Sequence, residues 1–334
     1  MIDIPWLNTV IKERNHQEFG TGLRERVFAR ADLLGDVGSA VAPVANAIMG
    51  RRLARLPLAR LGVDPDRRMP RYERQTLEAW FRERGPVVVP EPRARVALFV
   101  DCFANHNLPH VGQAAVEVLE RARVEVVPAH NACCGRPAMS QGLLEKPRSW
   151  AAANLTELGR LVGEGYDIVC IEPSCLSTLR EDYRRLLETT ALEGDPRIGV
   201  LEEHAYDITE YLVKLARDGN LGLELKPLDE AFAVHGHCHQ KSLGLGPTPA
   251  AVLRLIPDAD VREVEALCCG MVGSFGYKAE YSALSRAIGG PLFDRLAQAG
   301  GSVVACGISC RTQIESGMGC RVVHPVELIH QALA

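Results

Sequence analysis

Eight of the eleven cysteines in this 334-residue chain form two matching sets of four, and several thiols at one locus are ligands for soft metals. Cys102, the adjacent pair Cys133 and Cys134, and Cys175 recur as Cys238, the pair Cys268 and Cys269, and Cys310, at offsets of 136, 135, 135 and 135 residues. Each pair is followed by a glycine, Gly135 or Gly270, and each final cysteine follows a serine. Such regularity over a long period reads as an internal duplication. Zinc and iron–sulfur clusters both take four thiolates. Structural zinc sites use cysteines two to four residues apart, so that one tight turn presents both sulfurs. Directly adjacent cysteines fit that turn poorly, because neighbouring side chains in an extended chain point opposite ways, and they suit two metals of a larger cluster better.

Ligands so far apart in sequence need a fold that gathers them. Residues 95–100 (RVALFV) form a continuous apolar run of strand length, residues 111–121 have helical periodicity, and Val124–Pro128 reads as a second strand. Residues 149–163 predict a helix, 166–171 a third strand and 176–187 a helix. The second copy repeats the order with Ala231–His235, 249–255, 261–264, 281–299, Ser302–Ala305 and a helix from Thr312 onward. Residues 200–214 and 322–333 also match, each predicted as a short strand, a histidine and a helix. Alternating strands and helices predict an α/β fold of two Rossmann-like layers with parallel sheets. Cys102 then falls just past strand one, the cysteine pair in the loop after strand two, and Cys175 in the loop after strand three. All three positions open on the carboxyl edge of the sheet, where such folds bind ligands.

Composition narrows the class further. The chain is 47% hydrophobic and 24% charged, which excludes disordered and collagen-like readings, and its net charge of -4 gives no reason to expect a nucleic-acid partner. No apolar run reaches the ~18–20 residues of a membrane span, and the N-terminus lacks the basic-then-apolar pattern of a signal peptide, so a cytoplasmic location is expected. Cytosolic thiols stay reduced, so eleven cysteines predict metal or redox chemistry and not a disulfide framework.

Other residues have two readings. Cys170, Cys306 and Cys320 are expected to be small buried residues, the first two within strands. His235, His237 and His239 alternate, which in an extended segment puts them on one face and Cys238 on the other; they read as packing or hydrogen-bonding groups, or as proton-transfer groups beside a quinone. Gly270, Gly273 and Gly276 lack dinucleotide-loop spacing and read as a turn that brings backbone N–H groups to an anionic cluster. Asp101 and Glu172 adjoin the cysteine positions, where a carboxylate would lower a reduction potential.

The stretches DCF (101–103), CCGRP (133–137), EPSCLS (172–177), HGHCHQK (235–241), CCGMVGSFGY (268–277) and SCR (309–311) resemble the cysteine-rich CCG domain family. That family occurs in tandem in one of the subunits of heterodisulfide reductase, in one of those of anaerobic glycerol-3-phosphate dehydrogenase, in glycolate oxidase iron–sulfur subunits and in the C-terminal part of FAD-linked oxidases. The resemblance implies two duplicated CCG domains, at 93–225 and 226–334, after a helical N-terminal extension at 1–92. It implies one iron–sulfur cluster per domain, of [4Fe-4S] type, held by Cys102, Cys133, Cys134 and Cys175 and by Cys238, Cys268, Cys269 and Cys310, with no flavin in this chain. The function implied is electron transfer from an FAD-containing dehydrogenase subunit, of 2-hydroxy acid or glycerol-3-phosphate type, towards a quinone or other acceptor. Two alternatives stand beside it: a thiol-disulfide reductase subunit like that of heterodisulfide reductase, and a non-catalytic protein with zinc-binding or vestigial sites. In the heterodisulfide reductase member a fifth cysteine precedes the last by three residues, and here Glu172 and Gly307 occupy those positions.

The N-terminal region carries its own signal. Residues 4–14 and 73–83 predict helices, and residues 51–74 hold eight arginines against three acidic residues. That segment reads as a solvated face, or as a docking surface for an acidic partner or an anionic membrane at its inner face. Relatives of the glycerol-3-phosphate dehydrogenase type carry a ferredoxin segment ahead of a stretch like residues 2–14. No cysteine precedes Cys102, so a ferredoxin-like chain is an expected partner, or the true start lies upstream of Met1.

Overall fold

A computed structural model describes residues 4–49, 55–265 and 268–334. Strands β1 (Ala94–Phe99), β2 (Val124–Pro128), β3 (Asp167–Cys170) and β4 (Ala205–Asp207) form a parallel sheet in the order β2-β1-β3-β4. Strands β5 (Ala231–His235), β6 (Asp260–Glu263), β7 (Ser302–Ala305) and β8 (Val322–Val323) repeat it as β6-β5-β7-β8. The α/β fold with two duplicated parallel layers and a helical N-terminal region is therefore present. In β1, residues Val96, Ala97, Leu98 and Phe99 are all fully buried, as expected of a parallel strand covered by helices on both faces.

The two copies share a core. Val96 and Leu98 of β1 join Phe232 and Val234 of β5 in one apolar cluster, while Ala97 and Phe99 face a separate cluster behind the first sheet. Four helices fill the common core, and their packing is reciprocal. Pro325–Gln331, the last helix of the second copy, lies on Pro109–Arg121 of the first, and Ile208–Arg217 lies on Thr248–Leu253. Each large side chain buried there stabilises the fold by ~1.5–3 kcal/mol, so neither sheet keeps its inner face covered without the other copy.

Several boundaries differ from expectation for local reasons. The helix expected at 149–163 spans Glu145–Gly163, because Pro147 sits in its first turn, where a missing N–H breaks no helical bond. The helix expected at 176–187 begins at Pro173 and runs through a π-helical stretch, Thr178–Asp182. His204 ends the helix Pro196–His204 and β4 follows it, so the expected order of strand, histidine and helix fails in the first copy. The counterpart of His324 is Asp207. Each caps the final helix of its copy through a reciprocal capping box, Asp207 with Glu210 and His324 with Glu327.

The N-terminal region contributes the helices Ile4–Phe19, Leu23–Phe28, Ala31–Ala40, Ala42–Met49, Arg55–Arg60 and Leu77–Arg84. It straps across the segments that follow both cysteine pairs. Lys12 donates to the Ser140 carbonyl at 2.8 Å, and Arg24 grips Glu280 with two hydrogen bonds of 2.8 and 2.7 Å. Val63 pairs with Lys278, and the Asp64 N–H donates to the Tyr277 carbonyl at 2.7 Å. The arginine-rich segment is not uniformly a surface. Arg67 is buried and donates to Gln313 and Ser285, whereas Arg60, Arg68, Arg71 and Arg74 are exposed. Arg51, Arg52 and the Arg55 side chain lie outside the described residues. No helix among the described residues is long and apolar enough to cross a membrane.

Two candidate metal centres

In each sheet the strand order reverses between the first and third strands, and the crevice outside that switch point is where open α/β sheets bind ligands. The cysteines flank it. Cys102 follows β1 and Cys175 follows β3; Cys238 follows β5 and Cys310 follows β7. These four sit in first turns of helices and not in free loops. Cys102 opens the helix Cys102–His106, capped by Asp101, whose Oδ1 accepts from the Phe103 and Ala104 N–H groups at 2.9 Å. Cys238 opens the helix Cys238–Ser242, capped by His237, whose Nδ1 accepts from the His239 N–H at 3.2 Å. Cys175 and Cys310 are the third residues of helices beginning at Pro173 and Ile308.

The two pairs sit in equivalent turns. Gly135 and Gly270 adopt φ of 101° and 86°, the left-handed region that favours glycine. A Cβ on Gly270 would lie 2.2 Å from the Ser285 carbonyl oxygen; one on Gly135 would lie 3.0 Å from Pro147 Cβ. Beyond each glycine the chain turns back a backbone N–H, from Arg136 to the Cys134 thiol and from Met271 to the Cys269 thiol. The Gly270 N–H also donates to Cys268 Sγ at 3.3 Å. The glycine run thus does what a cluster-approaching turn requires at Gly270. Backbone N–H groups aimed at sulfur, with four thiols per copy, suit a thiolate-ligated anionic group.

The thiols in the first copy run as a connected chain. Cys133 is hydrogen-bonded to Cys102 and to Cys134, and Cys175 Sγ lies 3.2 Å from Cys134 Sγ. Hydrogen bonding from Cys133 and then Cys175 pulls Cys134 well below the usual thiol range. Cys133, bonded to Cys102 and Cys134, and Cys175, bonded to Cys134, are held well above it. In the second copy Cys268, Cys269 and Cys310 are hydrogen-bonded in series. Cys238 is exposed; desolvation of its thiol raises its pKa, and the charges of Cys268 and Glu172 add to the rise. Among the described residues no three His, Cys, Asp or Glu side chains are arranged to hold a single metal ion.

The surroundings of the two sets differ. Asp101 and Glu172 are buried beside the first, and burial, then the charge of Glu172, pushes the Asp101 carboxyl up to about 7. Arg136 lies there too, bonded to Thr178 at 3.0 Å and paired with Asp182. Arg67, from the N-terminal region, brings a guanidinium to the second set and feels the charge of Cys269. Arg136 directly follows a CCG motif and is legible as a neighbour; nothing in the sequence ties Arg67 to a thiol 202 positions away.

The other expectations divide. The three histidines do not share an extended face, because a helix starts at Cys238; the His237 and His239 rings meet edge to face at 5.2 Å. Burial, followed by nearby positive charge, pushes His235 down to about 3, His237 to about 4 and His239 to about 2. Burial thus favours the neutral imidazole at each, in keeping with packing and hydrogen bonding, as in the His237 cap. Cys170 is buried at the end of β3; Cys306 is buried one residue beyond β7, and Cys320 is only half-buried.

A duplicated α/β protein with four thiols at the switch point of each sheet is the class this architecture defines. The chain belongs to the cysteine-rich CCG domain family, whose pattern matches residues 96–180 and again 232–315. It is similar to a subunit of the anaerobic glycerol-3-phosphate dehydrogenase of Escherichia coli (strain K12), with 31% identity over 316 residues, 93% of this chain and 78% of that protein. Lactate utilization protein A of Macrococcus caseolyticus (strain JCSC5402) is 28% identical over 246 residues, covering 71% of this chain and 96% of that protein. An uncharacterized iron-sulfur protein of Methanocaldococcus jannaschii is 29% identical over 187 residues, 54% of this chain and 33% of that protein.

Proposed function

We propose that this chain is the iron–sulfur electron-transfer subunit of a flavin-linked dehydrogenase, of glycerol-3-phosphate or 2-hydroxy acid type, passing electrons towards a quinone or other acceptor. The observation that carries the reading is the pair of four-thiol sets, one at each switch point, each with a backbone N–H turned onto its second adjacent cysteine. Cys102, Cys133, Cys134 and Cys175 would hold one [4Fe-4S] cluster, and Cys238, Cys268, Cys269 and Cys310 the other. Such a group takes up and releases single electrons when bound. The protein contributes thiolates, helix N-termini and buried charge around each set. The names of the similar proteins, a dehydrogenase subunit and an iron-sulfur protein, support this assignment. The fifth position of the disulfide-reductase alternative holds Glu172 or Gly307, neither of them a thiol.

The division at 93–225 and 226–334 after an extension at 1–92 belongs to the same reading. An FAD-containing dehydrogenase subunit or a ferredoxin-like chain is the proposed partner, since substrate oxidation by hydride transfer needs a flavin or nicotinamide. Leu34 and Val37 in the helix Ala31–Ala40, Val44 and Ile48 in the helix Ala42–Met49, and Val41 between the two are exposed. With the exposed arginines after them, they support a docking face for that partner or for the inner surface of the membrane, in a cytoplasmic protein. Iron and acid-labile sulfide per chain, with an EPR spectrum of the reduced, anaerobically purified protein, test the reading. Equal amounts of iron and sulfide are expected; zinc without sulfide would sink it.

A further inference from the structure

Glu172 and Gly307 occupy the same position in the two copies, three residues before the final cysteine, yet only one of them has a side chain. Gly307 is the N-cap of the helix Ile308–Met318 and offers that helix no side-chain acceptor. It has no room for one. A Cβ there would lie 2.3 Å from the His237 ring, which is packed in place as the cap of the Cys238 helix. The second copy is thus left with uncapped backbone donors at the start of the helix that carries Cys310.

The missing acceptor comes from the first copy. Glu172 Oε1 accepts from the Ser174 N–H at 3.2 Å and the Ser174 hydroxyl at 2.7 Å, capping the helix that carries Cys175. Its other oxygen, Oε2, accepts from the Ile308 N–H at 2.9 Å, across 136 residues of sequence. One buried carboxylate therefore holds the first turns of both helices that deliver a final cysteine. It also lies close enough for its charge to act on Cys134 and Cys175 in one set and on Cys238 and Cys310 in the other.

We infer that Glu172 is a positioning residue shared by the two cysteine sites: it fixes the helix of Cys310 from the opposite copy and so ties the properties of the second site to the first. The inference rests on the reading of both sets as cluster ligands. Gln240 reinforces the junction, donating to Asp207 of the first copy at 3.1 Å two residues after Cys238. Like the Glu172 bond to Ile308, it joins the two copies.

The test is Glu172→Ala in a Cys134→Ser background, which leaves only the second site loaded, beside Cys134→Ser alone. Two readouts are followed: hydrogen exchange at the Ile308 amide, and the EPR spectrum and midpoint potential of the second site. Loss of a hydrogen bond to a carboxylate predicts exchange at Ile308 faster by about 10- to 100-fold. The g-pattern and potential of the second site are expected to move as well, although the substitution lies in the other copy. Unchanged exchange at Ile308, or an unmoved spectrum and potential, overturns the inference. If Glu172→Ala does not fold, Glu172→Gln, which keeps one acceptor oxygen, carries the same readouts at smaller amplitude. A wild-type chain without iron would instead defeat the cluster reading, and exchange at Ile308 would still decide whether the clamp exists.

Discussion

Arg136 follows the first cysteine-pair turn and Met271 follows the second, and that exchange typifies how the two copies differ. Both turns present the same backbone N–H to the same cysteine. Around that common backbone the first copy places Asp101, Glu172 and Arg136, the second His237, Gly307 and the buried Met271. The second set takes its guanidinium, Arg67, from the N-terminal region and its helix cap from Glu172. Duplication has kept the devices that depend on backbone geometry and let the charged groups diverge. Because nearby charge and hydrogen bonds set the potential of a thiolate-ligated group, two such groups held on this common backbone would differ electrically.

The largest effects should come from the cysteines proposed as ligands. Cys134→Ser and Cys269→Ser are each expected to remove the iron of one site and leave the other, measured as iron and sulfide per folded chain. Loss of all iron from either variant would break the two-site comparison.

The glycine turns sharpen it next. Gly135→Ala forces a left-handed conformation and a tight 3.0 Å approach to Pro147 Cβ, a cost of about 1–3 kcal/mol. Gly270→Ala adds a collision with the Ser285 carbonyl, a further ~1–3 kcal/mol. Urea midpoints should fall in that order, and equal midpoints would mean that the second turn is no tighter than the first.

The equivalent caps Asp207 and His324 should titrate in opposite senses. Burial raises Asp207 to about 6, so its contribution is fully present below its unfolded value near 4 and is lost as pH rises through 6. Burial depresses His324 to about 3, so its contribution is present above ~6.5 and is lost as pH falls towards 3. Relative to wild type, Asp207→Asn should therefore gain stability as pH rises from 4 to 6, and His324→Gln as pH falls from 6.5. Each slope is at most about 1.4 kcal/mol per pH unit. Urea unfolding across that range checks both signs, and parallel slopes in the two variants would refute the opposition. Cys320→Ser should be nearly silent in iron content and stability, since Cys320 is half-buried and has no counterpart in the first copy.

Much of the fold is legible because its signals are local. β1 shows as an apolar run, the Pro109–Arg121 helix as a 3.6-residue period, and the duplication as a constant offset between cysteines. The failures are local too, where a cap or a proline moves an end, as at Cys102, Cys238 and Glu145. His204 matches His324 in residue type and not in place. The structural match, Asp207, shares a role and not a side chain.

The sequence by itself determined the class: eight thiols at one repeated spacing, on alternating strands and helices, admit few chemistries. Only the tertiary structure decided how the copies depend on each other. Glu172 reaching Ile308, Arg67 beside Cys269, and the last helix of each copy lying on the other are contacts between residues far apart in the chain. Periodicity and spacing report what a segment does with its own neighbours. A hydrogen bond across the junction of two sheets depends on where both have been carried by the packing of a shared core, and no local pattern encodes that.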